Sequence, residues 1–350
     1  MQHQLLDNGV YSNEVRFAAT MLPFRGSEGV RVVEPPAAKK TRTAASPSMG
    51  KVLAASVEFI ESRRHCRAED ERTKISGIAQ HHEGGQANKE WLDARVGIVT
   101  GSKCASLAGL NPYSSAARGV TDMVWPGKFT GNRMTQWGND HEDTAEAALK
   151  NVLDPLKWGT RGEEDAEQAL RAVLDHLGNG DYRIEHPGLV LSPHDGWTGV
   201  SPDGILIAPN GSRVLLEYKC PWRQRERTPE STEDLYPVCG RFGVPVPIQY
   251  MCQIQWGMRI LDCASCYFVV WAPDPYPVAQ TTRVIDKGHS KIYRTKNGVV
   301  QICCVKFDKE FCDELLEKCG KAWRERFVPA HVMREFGMLR HGQLEPELVV

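Results

Sequence analysis

Two acidic side chains and one lysine are spaced so that a single turn of chain would bring them together. Asp203 lies in Ser201-Pro202-Asp203-Gly204, and Glu217-Tyr218-Lys219 begins fourteen residues after it. Between them, Ile205 to Ala208 and Val214 to Tyr218 are short apolar runs on either side of Pro209-Asn210-Gly211, the pattern of a β-hairpin. Alternation along a strand puts Glu217 and Lys219 on one face and Tyr218 on the other. The hairpin sets Asp203 beside that face. Hard carboxylate oxygens suit Mg²⁺, which keeps part of its water shell. An ammonium at the same point can orient or help deprotonate a water, and can stabilise charge building on a phosphate. A Glu-x-Lys by itself is what many solvated strand ends display. The Pro-Asp-Gly in the matching position upstream makes it a candidate for metal-assisted phosphodiester chemistry.

Such a hairpin needs a sheet around it and helices over it. Residues 89–96 read as a short helix, and Thr100-Gly101-Ser102 opens another, with a hydroxyl cap ahead of Leu107. Residues 133–152 predict a long helix with Trp137, Ala145, Ala148, Leu149 and Val152 available for burial, and residues 163–177 a helix with an acidic start. Beyond residue 181 the pattern changes to short apolar runs: 184–191, 205–208, 214–218, 267–271 and 301–307. Residues 222–246 read as a long loop carrying Arg223, Arg225, Arg227 and Arg241, which either meet a nucleic-acid backbone or are simply solvated. Residues 247–261 predict a helix and 308–327 a closing amphipathic one. Helices, then a sheet with a helix inserted, then strand and helix, imply an α/β (α+β) fold.

The 350 residues divide, on this reading, into a poorly ordered leader (1–50), a helical extension and linker (51–88), a principal domain (89–330) and a tail (331–350). The leader includes the low-complexity stretch 34–48 with its basic Lys39-Lys40-Thr41-Arg42, and the extension carries Val52, Leu53, Val57 and Ile60 on one side of a helix over 51–72. Hydrophobic residues make up 41% and charged residues 25%, the balance of a soluble globular chain. No apolar run suggests a membrane span, and the N-terminus lacks a secretory pattern, so an intracellular, non-secreted protein is expected, nuclear or cytoplasmic. A net charge of -1 means that any nucleic-acid contact must come from local patches. The 11 cysteines are odd in number and irregularly spaced, which fits reduced thiols. Cys263, Cys266, Cys303, Cys304, Cys312 and Cys319 show neither a cluster nor a zinc spacing.

Asp203 with Glu217-Tyr218-Lys219 resembles the PD-(D/E)xK nuclease signature. Four segments in order narrow the resemblance to the phage lambda exonuclease and YqaJ-type viral recombinase family: 91–102 with Trp91, Arg95 and Ser102; 137–142 from Trp137 to Glu142; 199–204 together with 216–221; and 248–255 with Gln253 and Gln255. The departures are Leu92, where a polar residue is commoner, and Gly101, where alanine is usual. The resemblance implies a restriction-endonuclease-like core with a mixed central sheet flanked by helices. It also implies roles. Asp203 and Glu217 would be the principal metal ligands, with the Tyr218 carbonyl as a further ligand and Glu142 as an additional acid near the metal. Lys219 would serve the attacking water, and Gln253 would reach the active site, with Gln255 on another side of the same helix. Arg95, Ser102 and Ser201 would bind the 5′ phosphate of a DNA end, which suits a guanidinium fork and hydroxyls near a helix start.

The implied activity is Mg²⁺-dependent exonucleolytic hydrolysis of duplex DNA, 5′ to 3′, with Mn²⁺ as a substitute, in viral-type recombination or DNA processing. A single-strand annealing protein would be a partner and a homo-oligomer is compatible, since family members can form rings around DNA. Two alternatives remain open here: an endonuclease of the same superfamily, and a non-catalytic DNA-binding module.

Overall fold

The Pro209-Asn210-Gly211 turn closes the expected hairpin, with Gly204 opposite Leu216 and Ile207 opposite Arg213. The computed structural model describes residues 48–65, 89–126, 131–154, 182–226 and 233–341. Along the chain the elements are α1 (Met49–His65), α2 (Lys89–Ala94), β1 (Val99–Thr100), α3 (Gly101–Leu107), α4 (Ala116–Val124) and α5 (Arg133–Leu153). Then come β2 (Arg183–Glu185), β3 (Val190–Leu191), β4 (Thr198–Val200), β5 (Gly204–Ile207), β6 (Arg213–Lys219) and a 3₁₀ turn at Trp222–Gln224. The rest is α6 (Ile248–Leu261), β7 (Ser265–Ala272), β8 (Thr282–Asp286), β9 (Lys291–Thr295), β10 (Gly298–Lys306), α7 (Lys309–Ala322), a π-helical stretch Trp323–Phe327 and α8 (Val328–Glu335).

Seven strands form one mixed sheet in the order β2-β5-β6-β7-β10-β9-β8. Only β6 and β7 run parallel, and α6 supplies the crossover such a pair requires. Successive residues of β6 serve opposite faces. Leu215 packs with α3, α4, α6 and α7, whereas Val214, Leu216 and Tyr218 pack with Ala145, Leu149 and Val152 of α5. Helices therefore cover both faces, as the α/β (α+β) reading expects. The alternation directs Glu217 and Lys219 toward the α6 face.

The structure differs from the pattern reading at several points. The run 184–191 is not one strand: β2 joins the large sheet, and β3 joins a small sheet ordered β1-β4-β3. Pro187 lacks a ladder donor and Gly188 adopts φ 68, so the chain leaves one sheet before entering the other. Strands β1 and β4, with two and three residues, are too short to show a period. Strands β8 and β9 and helix α4 were not anticipated. The closing helix widens into a π-helical turn at Trp323 and continues through α8, so the helix runs on past residue 327 to Glu335. The expectations for residues 1–47, 66–88 and 163–177 fall outside the described residues.

Helices α1 and α8 brace the turn that follows α2. The Phe59 ring lies 5.1 Å from that of His331, and Arg63 donates to the Val96 carbonyl at 2.8 Å. The Trp323 indole donates to the Gly97 carbonyl at 2.9 Å. Gly97 is left-handed, with φ 78, and a Cβ there would lie 2.8 Å from Phe59 Cζ. A Gly97→Ala substitution therefore combines an unfavourable backbone conformation with a clash against a ring that has little room. The expected cost is about 1–3 kcal/mol of unfolding free energy, read by urea denaturation. An unchanged midpoint would show that this turn is not held by Phe59.

Candidate active site

Lys219 projects from the end of β6 into a cage of oxygens. Its Nζ donates to Glu217 Oε1, lies 2.8 Å from the Tyr218 carbonyl oxygen and 3.8 Å from Asp203 Oδ2. Asp203 is fixed from two directions. Its Oδ2 accepts the Tyr218 backbone N–H at 2.7 Å, and its carbonyl accepts from His186 Nδ1 at 2.8 Å. His186 Nε2 in turn lies 3.3 Å from Glu146 of α5. Tyr250 of α6 places its ring 5.2 Å from the ammonium.

The electrostatics follow from burial. Glu217 is 2% exposed. Desolvation, and then the nearby Asp203 charge, push its carboxyl up to about 8 despite Lys219. Glu142 enters from α5, on the opposite side of the sheet, and burial followed by Asp203 raises it to about 7. Burial alone would lower Lys219, but Glu217 and Asp203 outweigh it and hold the ammonium well above its ordinary value. Three acids thus share one field, and a single lysine does not neutralise them.

That excess of hard oxygens is what a divalent cation would relieve. Asp203, Glu217 and the Tyr218 carbonyl already converge on one cationic centre, the Lys219 ammonium, so the donor set fits Mg²⁺. Among the described residues no three His, Cys, Asp or Glu side chains are gathered tightly enough to hold an ion by themselves. An ion here would rest on two carboxylates, the carbonyl and water, the shell that Mg²⁺ commonly keeps.

A second cluster lies two residues upstream in sequence. The Trp91 indole donates to Ser201 Oγ at 2.9 Å, and the Arg95 guanidinium stacks 3.8 Å from the Trp91 ring centroid. Arg95 Nη2 donates to Thr100 Oγ1 at 3.0 Å and to Ser102 Oγ at 3.2 Å. Burial drops the Arg95 guanidinium to about 10, and its partners are hydroxyls and an indole face, with no carboxylate in ion-pair contact among the described residues. Thr100 is the N-cap residue of α3 but makes no side-chain cap bond. Its oxygen is engaged with Arg95 instead, which corrects the expectation of a hydroxyl cap.

The structure therefore brings Asp203, Glu217 and Lys219 together, and Arg95 with Ser102. Ser201 joins the second group through Trp91 rather than through Arg95 directly. Gln253 packs its Cγ within 3.2 Å of where a Gly101 side chain would begin, at the start of α3. Gln255 is purely structural: it donates to the Lys306 carbonyl and accepts the Asp308 N–H, both at 2.8 Å. Pattern reading did not single out Trp91, Thr100, His186 or Tyr250 for roles. Trp91 and Arg95, four apart around a short helix, carried the one available signal, since that spacing stacks side chains. Of the loop arginines, Arg223 lies over Tyr236 and Arg241 over Phe311, at 4.9 and 4.8 Å, and Arg227 is outside the described residues. All ten cysteines among the described residues are free, and burial raises Cys104, Cys252, Cys312 and Cys319, which keeps them as core thiols rather than thiolates.

The raised carboxyls make the metal-free protein sensitive to alkali. A carboxyl whose folded pKa lies above its unfolded value stabilises the fold below the unfolded pKa and loses that contribution as pH rises. For Glu142 the window runs from about 4.5 to 7, and for Glu217 to about 8. With chelator present, unfolding free energy should fall across this range, and Glu142→Gln should flatten the fall below pH 7. An equally steep decline in that variant would remove Glu142 from the cluster.

The YqaJ-like viral recombinase domain matches residues 90–264. No curated protein matches the chain. Among solved structures, it is similar to an alkaline exonuclease from Laribacter hongkongensis at 19% identity, covering 71% of this chain and 95% of that one, with a TM-score of 0.41. A phage-related exonuclease from Haemophilus somnus 129PT shows 18% identity over 68% and 96% of the two chains, with a TM-score of 0.36. A SOX–DNA complex shows 12% identity over 84% and 78%, with a TM-score of 0.44. The domain match takes in half of the sequence, including α2, the Asp203–Lys219 hairpin and α6, and on that ground the chain belongs to the YqaJ-like viral recombinase family.

Proposed function

We propose that this protein is a metal-dependent deoxyribonuclease acting from the ends of duplex DNA, with 5′-to-3′ polarity. The observation that carries the reading is the convergence of Asp203, Glu217 and Lys219 only two residues from the Ser201–Trp91–Arg95 cluster. The link between the two is Trp91, which carries Arg95 over its ring and holds Ser201, two residues before Asp203. Binding alone gains nothing from three acids near a phosphodiester, which disfavours a non-catalytic module.

Asp203, Glu217 and the Tyr218 carbonyl would hold the ion, and Glu142 would add negative charge beside it. A Mg²⁺ or Mn²⁺ ion bound there supplies Lewis-acid polarisation of the phosphate and a water acidic enough to react near neutral pH. The chain's own residues do the rest. Lys219, kept protonated by the carboxylates facing it, donates to the phosphate oxygen and orients the water. His186 and the Tyr218 N–H keep Asp203 from turning away. Gln253, seated against Gly101, couples α6 to the start of α3. Arg95, with Ser102 and the Trp91-anchored Ser201, takes the 5′ phosphate, and a guanidinium whose partners are neutral is suited to an anion. Membership of the viral recombinase family supports a role in viral-type recombination, with a strand-annealing partner and a homo-oligomeric form.

The test is a digestion series on 5′-phosphorylated linear, 5′-hydroxyl linear and closed circular duplex DNA, with Mg²⁺ and with chelator. Linear DNA should be degraded only with metal, circles should survive, and Asp203→Ala or Lys219→Ala should abolish the activity. Arg95→Ala should cost roughly tenfold or more at phosphorylated ends, the loss of one charge-assisted contact of about 1.5–3 kcal/mol. Cleavage of circles would favour the endonuclease reading, and full activity in both Asp203→Ala and Lys219→Ala would overturn the nuclease assignment.

A further inference from the structure

A pocket that reads only a terminal phosphate has to close behind it, and here the surface stays open. Arg95 and Thr100 line a groove of about 370 Å³. Lys103 of α3 and Arg118 of α4 also line it. Asp122 is the one carboxylate in the lining, 3.8 Å from Lys103 Nζ and 2.9 Å from Arg118 Nε. Three cations against one acid leave the groove positive. Burial, only partly offset by Asp122, lowers Lys103, and the charges of Arg95 and Arg118 lower it further, so the three cations feel one another. The rest of the lining includes apolar side chains. Met123 contributes from α4, and Leu92 contributes from α2 while remaining 49% exposed. Leu92 is also the residue at which the sequence departs from the polar choice usual after Trp91, and its position on this groove gives that departure a purpose.

A lining that combines three cations with apolar side chains matches a nucleotide, whose phosphate seeks charge and whose sugar and base seek apolar surface. We propose that this groove holds the nucleotide on the 5′ side of the phosphate bound at Arg95, so that an end carrying one nucleoside beyond that phosphate is still accepted and cut. The inference rests on the reading of Arg95 as a phosphate site. It has a chemical consequence at ends that lack a 5′ phosphate. The first internucleotide phosphate then occupies Arg95 and the terminal nucleoside lies in the groove. Water adds to the phosphorus of the next linkage, its P–O3′ bond breaks, and the 3′ oxygen leaves as a hydroxyl. The first product is a dinucleoside monophosphate with a 5′ hydroxyl, and the remaining strand carries a new 5′ phosphate.

The experiment is product analysis of the first turnover on matched duplexes with 5′-hydroxyl and 5′-phosphate ends, with Mg²⁺. The expected result is a dinucleoside monophosphate from the hydroxyl end and a mononucleotide from the phosphate end. Leu92→Glu and Arg118→Glu change side chains that are 49% and 70% exposed, so folding is spared. Each should lower dinucleotide formation by tenfold or more, about 1.4 kcal/mol, while changing digestion from phosphorylated ends less than about twofold. A free nucleoside as first product, resistance of hydroxyl ends while phosphorylated ends are digested, or an equal loss on both ends in the variants would overturn the groove assignment alone. Failure to digest either end would overturn the nuclease reading beneath it.

Discussion

The pairing of Glu217 with Lys219 inside the sheet is the constraint on which the rest of the site depends. Two groups two residues apart on one strand face cannot avoid each other, with Glu217 buried and Lys219 only 20% exposed. Removing each from solvent costs several kcal/mol, while their attraction at about 4 Å is worth only about 4 kcal/mol at an effective dielectric of 20. The pair therefore does not repay its own burial. Asp203 adds a second carboxylate to the lysine and is itself tied to the Tyr218 N–H. The result is a preorganised charge cluster that the fold tolerates rather than one that stabilises it. Glu142, arriving from the other side of the sheet, deepens the imbalance.

Tolerating such a cluster requires rigid surroundings. Both faces of β6 are packed, with Leu215 against the α6 side and Leu216 and Tyr218 against α5. The Arg95 cluster is supported in the same manner from further away. Arg63 of α1 holds the Val96 carbonyl and Trp323 holds that of Gly97, so elements outside the matched 90–264 region fix the turn that carries Arg95. The extension before residue 89 and the helix after residue 322 are structural parts of the site's frame.

Much of this was legible from residue types alone. The hairpin could be read because Pro209-Asn210-Gly211 separates two apolar runs, and the shared face of Glu217 and Lys219 because strand alternation has a fixed period. The α6 crossover was legible from residues 247–261. What escaped reading has physical reasons. Strands β1 and β4 are too short for any period, yet their parallel pairing, Val99 with Thr198 and Thr100 with Gly199, brings Thr100 and Ser201 to one place. The split of 184–191 depends on a proline and a left-handed glycine that a run of apolar residues conceals. Thr100 looked like a cap because local sequence cannot show that Arg95 would take its oxygen. That Gln255 faces another side of α6 than Gln253 followed from the helical period, but its partners, the Lys306 carbonyl and the Asp308 N–H, come only from tertiary structure.

The central claim is that the Asp203–Glu217 oxygens form a divalent-cation site completed by the Tyr218 carbonyl. Its most direct test is an electron paramagnetic resonance titration of Mn²⁺ into the full chain without nucleic acid, compared with Glu217→Gln. The account predicts saturable binding to the unsubstituted protein, displaced by excess Mg²⁺ and lost in the variant. Binding of equal strength in both proteins, or none in either, would contradict it.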